Sequence, residues 1–201
     1  EVVSADAPAS VPASGAVVVN AGQTGYFRTA YSPDLWARLA PRFARLAPAD
    51  QLGLLYDSRA LGEIGVVPMS DFLALARNAP ATGEPVVLQT LSEQLDAIDW
   101  LFEGRPTQPA YRAFVISRIA PIAERLGWDA RPGEADNDAL LRRSVLVTLG
   151  DLGHAPTLAE ARLRFDRYLA DPGSLTGAGR RTVLSIVARN ADAGTWEAIH
   201  K

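Results

Sequence analysis

Cysteine is missing from this 201-residue chain, and lysine occurs once, at the final position, Lys201. The first absence excludes disulfides, thiolate nucleophiles and cysteine-ligated zinc, and it leaves the redox compartment open between cytoplasm and periplasm or exterior. Histidine is nearly as scarce: only His154 and His200 are available to a nitrogen-rich metal site. No apolar run reaches the ~18 residues that span a bilayer, and no charged-then-apolar leader opens the chain, so a membrane partner is not expected. Arginine supplies nearly all positive charge and is scattered among Asp and Glu, as on solvated helix faces. With a net charge of -3 and a pI of ≈ 5.4, a nucleic-acid footprint is not expected either. The start at Glu1, without a methionine, reads as a piece cut from a longer protein.

What is present begins with Ala16 to Tyr31, AVVVNAGQTGYFRTAY. The β-branched run Val17–Val19 and the alternation over Tyr26–Tyr31 predict two short strands around Asn20-Ala21-Gly22-Gln23-Thr24-Gly25, a β-hairpin. Gly22 and Gly25 would supply positive φ or close backbone approach, and the Asn20 side chain would cap the turn. Glu1-Val2-Val3-Ser4 reads as one more strand, and Ala5 to Gly15 as a Pro/Ser/Ala loop. Strands this few and this short need a larger sheet to join.

From Ser32 onward the pattern is helix after helix. Ser32, Pro33 and Asp34 are N-cap, N1 and first-turn residues for a helix carrying Leu35, Leu39, Phe43 and Leu46, with a break expected near Ala40 because of Pro41. Pro48 opens a second helix through Leu54, Leu55, Leu61 and Ile64, and Ser70 is expected to cap a short third. Glu84-Pro85 opens a longer one with the stripe Val87, Leu88, Leu91, Leu95, Ile98 and Phe102, closed by Gly104. Tyr111 to Leu126 follows, bent at Pro121 and ended by Gly127. Further helices are expected over residues 138–152, 157–170, 180–190 and 195–201. Links this short make neighbouring helices antiparallel. The expected fold is mainly α: antiparallel helix pairs stacked in the manner of a right-handed HEAT or armadillo superhelix, preceded by the short hairpin. The helix from Asp138 is apolar on nearly all sides, which places it on the inner layer.

Several stretches resemble one family. Asn20 with Gly25-Tyr26-Phe27-Arg28 and Tyr31, followed at once by Ser32-Pro33-Asp34-Leu35-Trp36, looks like the junction between β-sandwich and helical domain in zinc aminopeptidases of the aminopeptidase N and puromycin-sensitive type. Later come Leu126-Gly127-Trp128, Pro132-Gly133-Glu134, Asp138-Ala139-Leu140-Leu141-Arg142, Gly153-His154 before Ala161 and Phe165, and Gly194-Thr195-Trp196, similar to that family's landmarks and in the same order. The resemblance implies an incomplete end of a β-sandwich over residues 1–31 and a C-terminally truncated helical domain over 32–201. Many animal relatives carry a cysteine pair around the positions of Gly150 and Thr157; neither is cysteine here, so no disulfide carries over.

The chemistry of that family needs a His-Glu-x-x-His helix with a downstream glutamate for zinc, and a Gly-x-Met-Glu-Asn loop for the substrate amine. Neither motif is present. No serine has a Gly-x-Ser-x-Gly context. Gly177-Ala178-Gly179-Arg180-Arg181 lacks the strand and the Lys-Ser/Thr ending of a phosphate loop and reads as an interhelical turn. Asp136-Asn137-Asp138 lacks the glycine of a calcium loop and reads as an N-cap cluster. The sequence therefore assigns no catalytic, metal or cofactor residue here and no substrate contact.

Two functional classes follow. The resemblance implies a non-catalytic part of a zinc aminopeptidase, whose helical domain closes a chamber and helps select peptides while an absent catalytic domain, holding the zinc, removes N-terminal residues. Its partners would be the catalytic and β-sandwich domains of the same parent chain and peptide substrates, and the cut ends would favour self-association. Periodicity alone fits equally a free-standing helical-repeat scaffold for a protein partner.

Overall fold

The computed structural model describes residues 15–200; the strand expected over Glu1-Val2-Val3-Ser4, most of the loop after it, and Lys201 lie outside the described residues. The described residues form nine α-helices and no strand. They are α1 (Pro33–Leu39), α2 (Pro48–Glu63), α3 (Met69–Asn78), α4 (Pro85–Asp96), α5 (Gln108–Leu126), α6 (Asp136–Asp151), α7 (Ala155–Ala170), α8 (Gly177–Arg189) and α9 (Ala193–Ile199). Two compact units divide between Asn78 and Ala79.

In the first unit the hairpin expected over Ala16–Tyr31 does not form. A single 3-10 turn, Ala21–Gln23, stands in its place, with Asn20 at φ 59 and Gln23 at φ 56. The reason is where the backbone donors go. Gly22 N donates to Asp50 Oδ1 at 2.7 Å and Thr29 N to Asp57 Oδ2 at 2.9 Å, so the segment spends its hydrogen bonds on α2 and not on a ladder. Pro41 acts as expected: α1 ends at Leu39 and a 3-10 turn, Ala40–Arg45, follows. Ser32 stands at the N-cap of α1 but its side chain makes no capping bond. The third helix starts at Met69, one residue ahead of the expected Ser70 cap, directly after Pro68, whose carbonyl accepts from Asp71 N at 2.9 Å. Trp36, Leu39, Phe43, Leu54, Leu55, Phe72 and Leu75 are buried and form this unit's core, whereas Ile64, expected in the stripe of α2, falls beyond the helix end and is exposed.

The second unit is a stack. The long helix expected through Phe102 divides: α4 stops at Asp96 and a 3-10 turn, Asp99–Phe102, carries the rest, while Tyr111 Oη donates to the Leu95 carbonyl at 2.6 Å and so satisfies a helix-end acceptor. Gly104 does adopt a positive φ, as an expected stop does. α5 runs across Pro121 and ends at Gly127, φ 68. α6 packs on α4, α5, α7 and α8, which makes it the centre of the unit, although Leu140, counted in its expected apolar set, is exposed. Leu141, Val145, Leu146 and Leu149 are its buried contribution. Gly150 lets α8 come close, since a Cβ there would stand 2.8 Å from Ile186 Cγ2.

The order of contacts fixes direction. Ser92, one turn from the end of α4, donates to Thr148, near the end of α6, at 3.0 Å, and Arg189, the last residue of α8, pairs with Asp151, the last of α6. Helices that share their C-terminal ends run parallel, so α5 and α7 between them run back. α4, α6 and α8 thus form one layer of stacked helical hairpins.

Candidate functional site

The first grouping is a strap across α2. Asn20 closes the loop on itself, its Oδ1 accepting from Gly25 N at 2.7 Å and its Nδ2 donating to Gly25 O at 2.9 Å. Gly25 is needed for approach and not for φ, because a Cβ there would meet Phe27 Cε1 at 2.4 Å and Asn20 Oδ1 at 3.0 Å. Asp50, Gly53 and Asp57 share one face of α2 at helical spacing and receive the strap. Gly53 leaves the room that the Gln23 side chain fills, and Arg28 reaches the Tyr56 carbonyl at 3.2 Å and Asp57 at 3.4 Å. Tyr31 Oη accepts from Val19 N at 3.0 Å, and burial pushes its hydroxyl pKa up. Tyr26, Phe27 and Tyr56 are left exposed beside Arg28.

The second grouping lies where α5 hands over to α6. Arg142 lays its guanidinium on Glu134, Nη1 to Oε2 at 2.7 Å and Nη2 to Oε1, and its Nε donates to the Gly127 carbonyl at 3.1 Å. Both side chains of the pair are nine-tenths buried or nearly so, 7% and 10% exposed. The guanidinium holds the Glu134 carboxyl below the ordinary carboxylate range. Next to it Arg164 forks onto Asp129 with two bonds of 2.8 Å, takes Glu160 with its Nε at 2.8 Å, and lies over the Trp128 ring at 5.1 Å.

A cleft of about 370 Å³ opens over the α4, α6, α8 layer. Gln89, Glu93 and Asp96 line one side, Arg143, Ser144 and Thr148 the floor, Ser185 and Arg189 the other. The Ser144 hydroxyl is buried without a hydrogen-bond partner among the described residues. This face is mostly polar and of mixed charge, with Leu140 and Val147 of α6 also lining it; Gln89 already donates to Glu93 at 2.9 Å and Arg189 is paired with Asp151.

The ERAP1-like C-terminal domain model matches residues 16–201. The chain belongs to this family. It is 34% identical to Aminopeptidase M1-A of Oryza sativa subsp. japonica over 77% of its own length and 18% of the relative's. It is 33% identical to Aminopeptidase M1 of Arabidopsis thaliana, again over 77% and 18%, and 31% identical to Alanine/arginine aminopeptidase of Saccharomyces cerevisiae over 64% and 15%. The chain thus spans less than a fifth of each of these relatives. As an ERAP1-like C-terminal domain it corresponds to the C-terminal helical region of such aminopeptidases.

The landmarks of this ERAP1-like domain prove to be structural joints. Arg142 gathers the Leu126 and Gly127 carbonyls and the Glu134 carboxylate, Trp128 lies under Arg164 next to them, and Asn20, Gly25 and Arg28 belong to the strap on α2. His154 stands at the N-cap of α7 with Nδ1 2.9 Å from Thr157 Oγ1, and His200 puts Nδ1 2.9 Å from the Trp196 carbonyl. In each ring Nδ1 is engaged locally. Among the described residues no group of three or more His, Cys, Asp or Glu side chains converges on a possible metal, so the zinc implied by the family's chemistry finds no fitting site on them. Gly177 to Gly179, expected in a turn, form the first turn of α8. Asp136 and Asp138 occupy the first turn of α6, where they complement its dipole, but the N-cap is Ala135.

The cluster that sequence reasoning missed is at the C-terminal ends of α4 and α6. Asp96 and Asp151 are carboxylates in last turns, a position the helix dipole disfavours, and that mismatch was a readable signal. No helix among the described residues is long and apolar enough to cross a membrane.

Proposed function

We propose that this chain is the non-catalytic helical part of a zinc-dependent aminopeptidase, and that it encloses the reaction chamber and helps to bind and select peptides. The catalytic step, removal of N-terminal amino acids at a zinc ion, belongs to another part of the parent enzyme. The observation that carries the reading is the family match over residues 16–201, supported by relatives that are themselves aminopeptidases. The polar cleft over α4, α6 and α8 suits an extended peptide, whose backbone amides need both donors and acceptors; the Gln89 amide oxygen and the Ser185 hydroxyl offer them beside the charges of Glu93 and Arg143. The exposed Tyr26 and Phe27, held on a strap pinned to α2, suit a contact with the β-sandwich portion of the same parent.

The helical part acts by binding and enclosure, so its contribution depends on substrate length. The test is Arg143→Glu in the aminopeptidase that carries this region, assayed with a ten-residue peptide and with a single aminoacyl chromogenic substrate. The reading expects kcat/KM to fall several-fold for the peptide and to stay level for the short substrate. Equal effects on both, or none on the peptide, would remove the support.

A further inference from the structure

The C-terminal ends of α4, α6 and α8 bring an unbalanced set of charges together. Arg189 of α8 pairs with Asp151 Oδ2 of α6, and Asp151 Oδ1 stays buried with no hydrogen-bond partner among the described residues. Arg112 of α5 is spent on Asp99 of the following 3-10 turn, with contacts of 3.0, 3.1 and 2.6 Å. Asp96 of α4 faces this group, and its side chain makes no hydrogen bond among the described residues. Around it stand Asp151 and Arg143 from α6, Arg189 from α8, Arg112 from α5, Asp99 from the turn, and Glu93 on its own helix. The cleft is lined by Glu93, Asp96, Arg143 and Arg189 together.

Helix direction adds to the imbalance. Asp96, Asp151 and Arg189 are the last residues of their three parallel helices, so three negative dipole ends converge where Asp96 and Asp151 already repel one another. A carboxylate in such a place favours its neutral form, since protonation removes the repulsion.

We propose that the Asp96–Asp151–Arg189 cluster is a proton-operated latch: on mild acidification it takes up one proton, on Asp96, which tightens the C-terminal edge of the α4/α6/α8 layer and removes one negative charge from the cleft. Partial burial, then the charge of Asp151, push the Asp96 carboxyl up to about 6 from its ordinary 3.8, and burial raises Asp151 as well. The sign follows from linkage. The folded chain binds the Asp96 proton more tightly than the unfolded chain does, so stability rises as pH falls from above 6 toward 4, and the gain is absent above about pH 7.

The test is carboxyl-carbon NMR of the chain labelled at aspartate, with the Asp96 signal assigned through its own backbone amide in the wild type, together with thermal melts of the wild type and of Asp96→Asn between pH 7.5 and pH 5. The latch predicts an Asp96 titration centred near 6 and a wild-type melting midpoint that climbs by about 2–4 °C over that range. Asp96→Asn, fixed in the neutral form, should melt higher than wild type at pH 7.5 and lose most of the climb. An Asp96 titration near 4 would overturn the proposal even if the variant failed to fold. So would a variant whose midpoint follows pH as steeply as the wild type's.

Discussion

Arg142 and Glu134 form a buried, two-bonded pair that also ties off the end of α5, because the same guanidinium donates to the carbonyl of Gly127. One side chain therefore does three jobs: it neutralises a carboxylate, caps a helix C-terminus and anchors α6 to the connection before it. Arg142→Ala should cost about 2–3 kcal/mol, since it strands Glu134 and leaves helix-end carbonyls unpaired. Urea denaturation monitored by circular dichroism would register this as a lower midpoint at unchanged slope.

The same pair carries a pH dependence opposite in sign to that of Asp96. The Glu134 carboxyl is depressed by Arg142, so its contribution is present above the ordinary carboxyl pKa of 4.5 and is lost as pH falls through the folded value below that. Glu134→Gln should flatten the stability profile below pH 4.5 and lower it above. Melts at pH 3.5 and pH 6.5 compare the two.

The strap over α2 depends on side-chain bonds at a few points. Asn20→Ala removes both bonds to Gly25 and should cost about 1–2 kcal/mol, with Asp50→Ala acting in the same direction through Gly22. Hydrogen exchange provides the local readout. The amides of Gly22, Gly25 and Thr29 should be protected in the wild type, and protection of Gly25 should collapse in Asn20→Ala while the amides of α3 keep theirs.

Close approach of α6 and α8 rests on Gly150. Gly150→Ala places a methyl group 2.8 Å from Cγ2 of the β-branched, stiff Ile186, and the overpacking cost of roughly 1–3 kcal/mol outweighs the ~1 kcal/mol gained from alanine's helix propensity. Ile186→Ala should restore room, so the double variant should be less destabilised than the sum of the singles. A double-mutant cycle by denaturation measures that coupling.

Helix existence was legible because the apolar spacing of α4 through α8 is strong and glycine stops such as Gly104 and Gly127 carry positive φ. The central place of α6 was legible in Leu141, Val145, Leu146 and Leu149, which are buried, but not in Leu140, which is exposed beside the cleft. The segment before Ser32 was misread because alternation over Tyr26–Tyr31 suggests a strand, while the partners that decide its conformation, Asp50 and Asp57, lie 28 residues on. The split of α4 at Asp96 was hidden for a similar reason: Ile98 and Phe102 continue the apolar stripe, and the residues that satisfy the break come from α5. Resemblance located the joints around Asn20 and Arg142 without disclosing that they are joints, since only the fold brings Glu134 and Gly127 to one guanidinium.

Under the proposed function this chain contributes binding and enclosure while catalysis belongs to another part of the parent enzyme. The most direct measurement takes the purified 201-residue chain, supplies zinc, dialyses it, and determines both bound metal and turnover of aminoacyl chromogenic substrates. The account predicts no stoichiometric zinc and no turnover above the zinc-only control. Stoichiometric zinc together with hydrolysis that a chelator abolishes would contradict it.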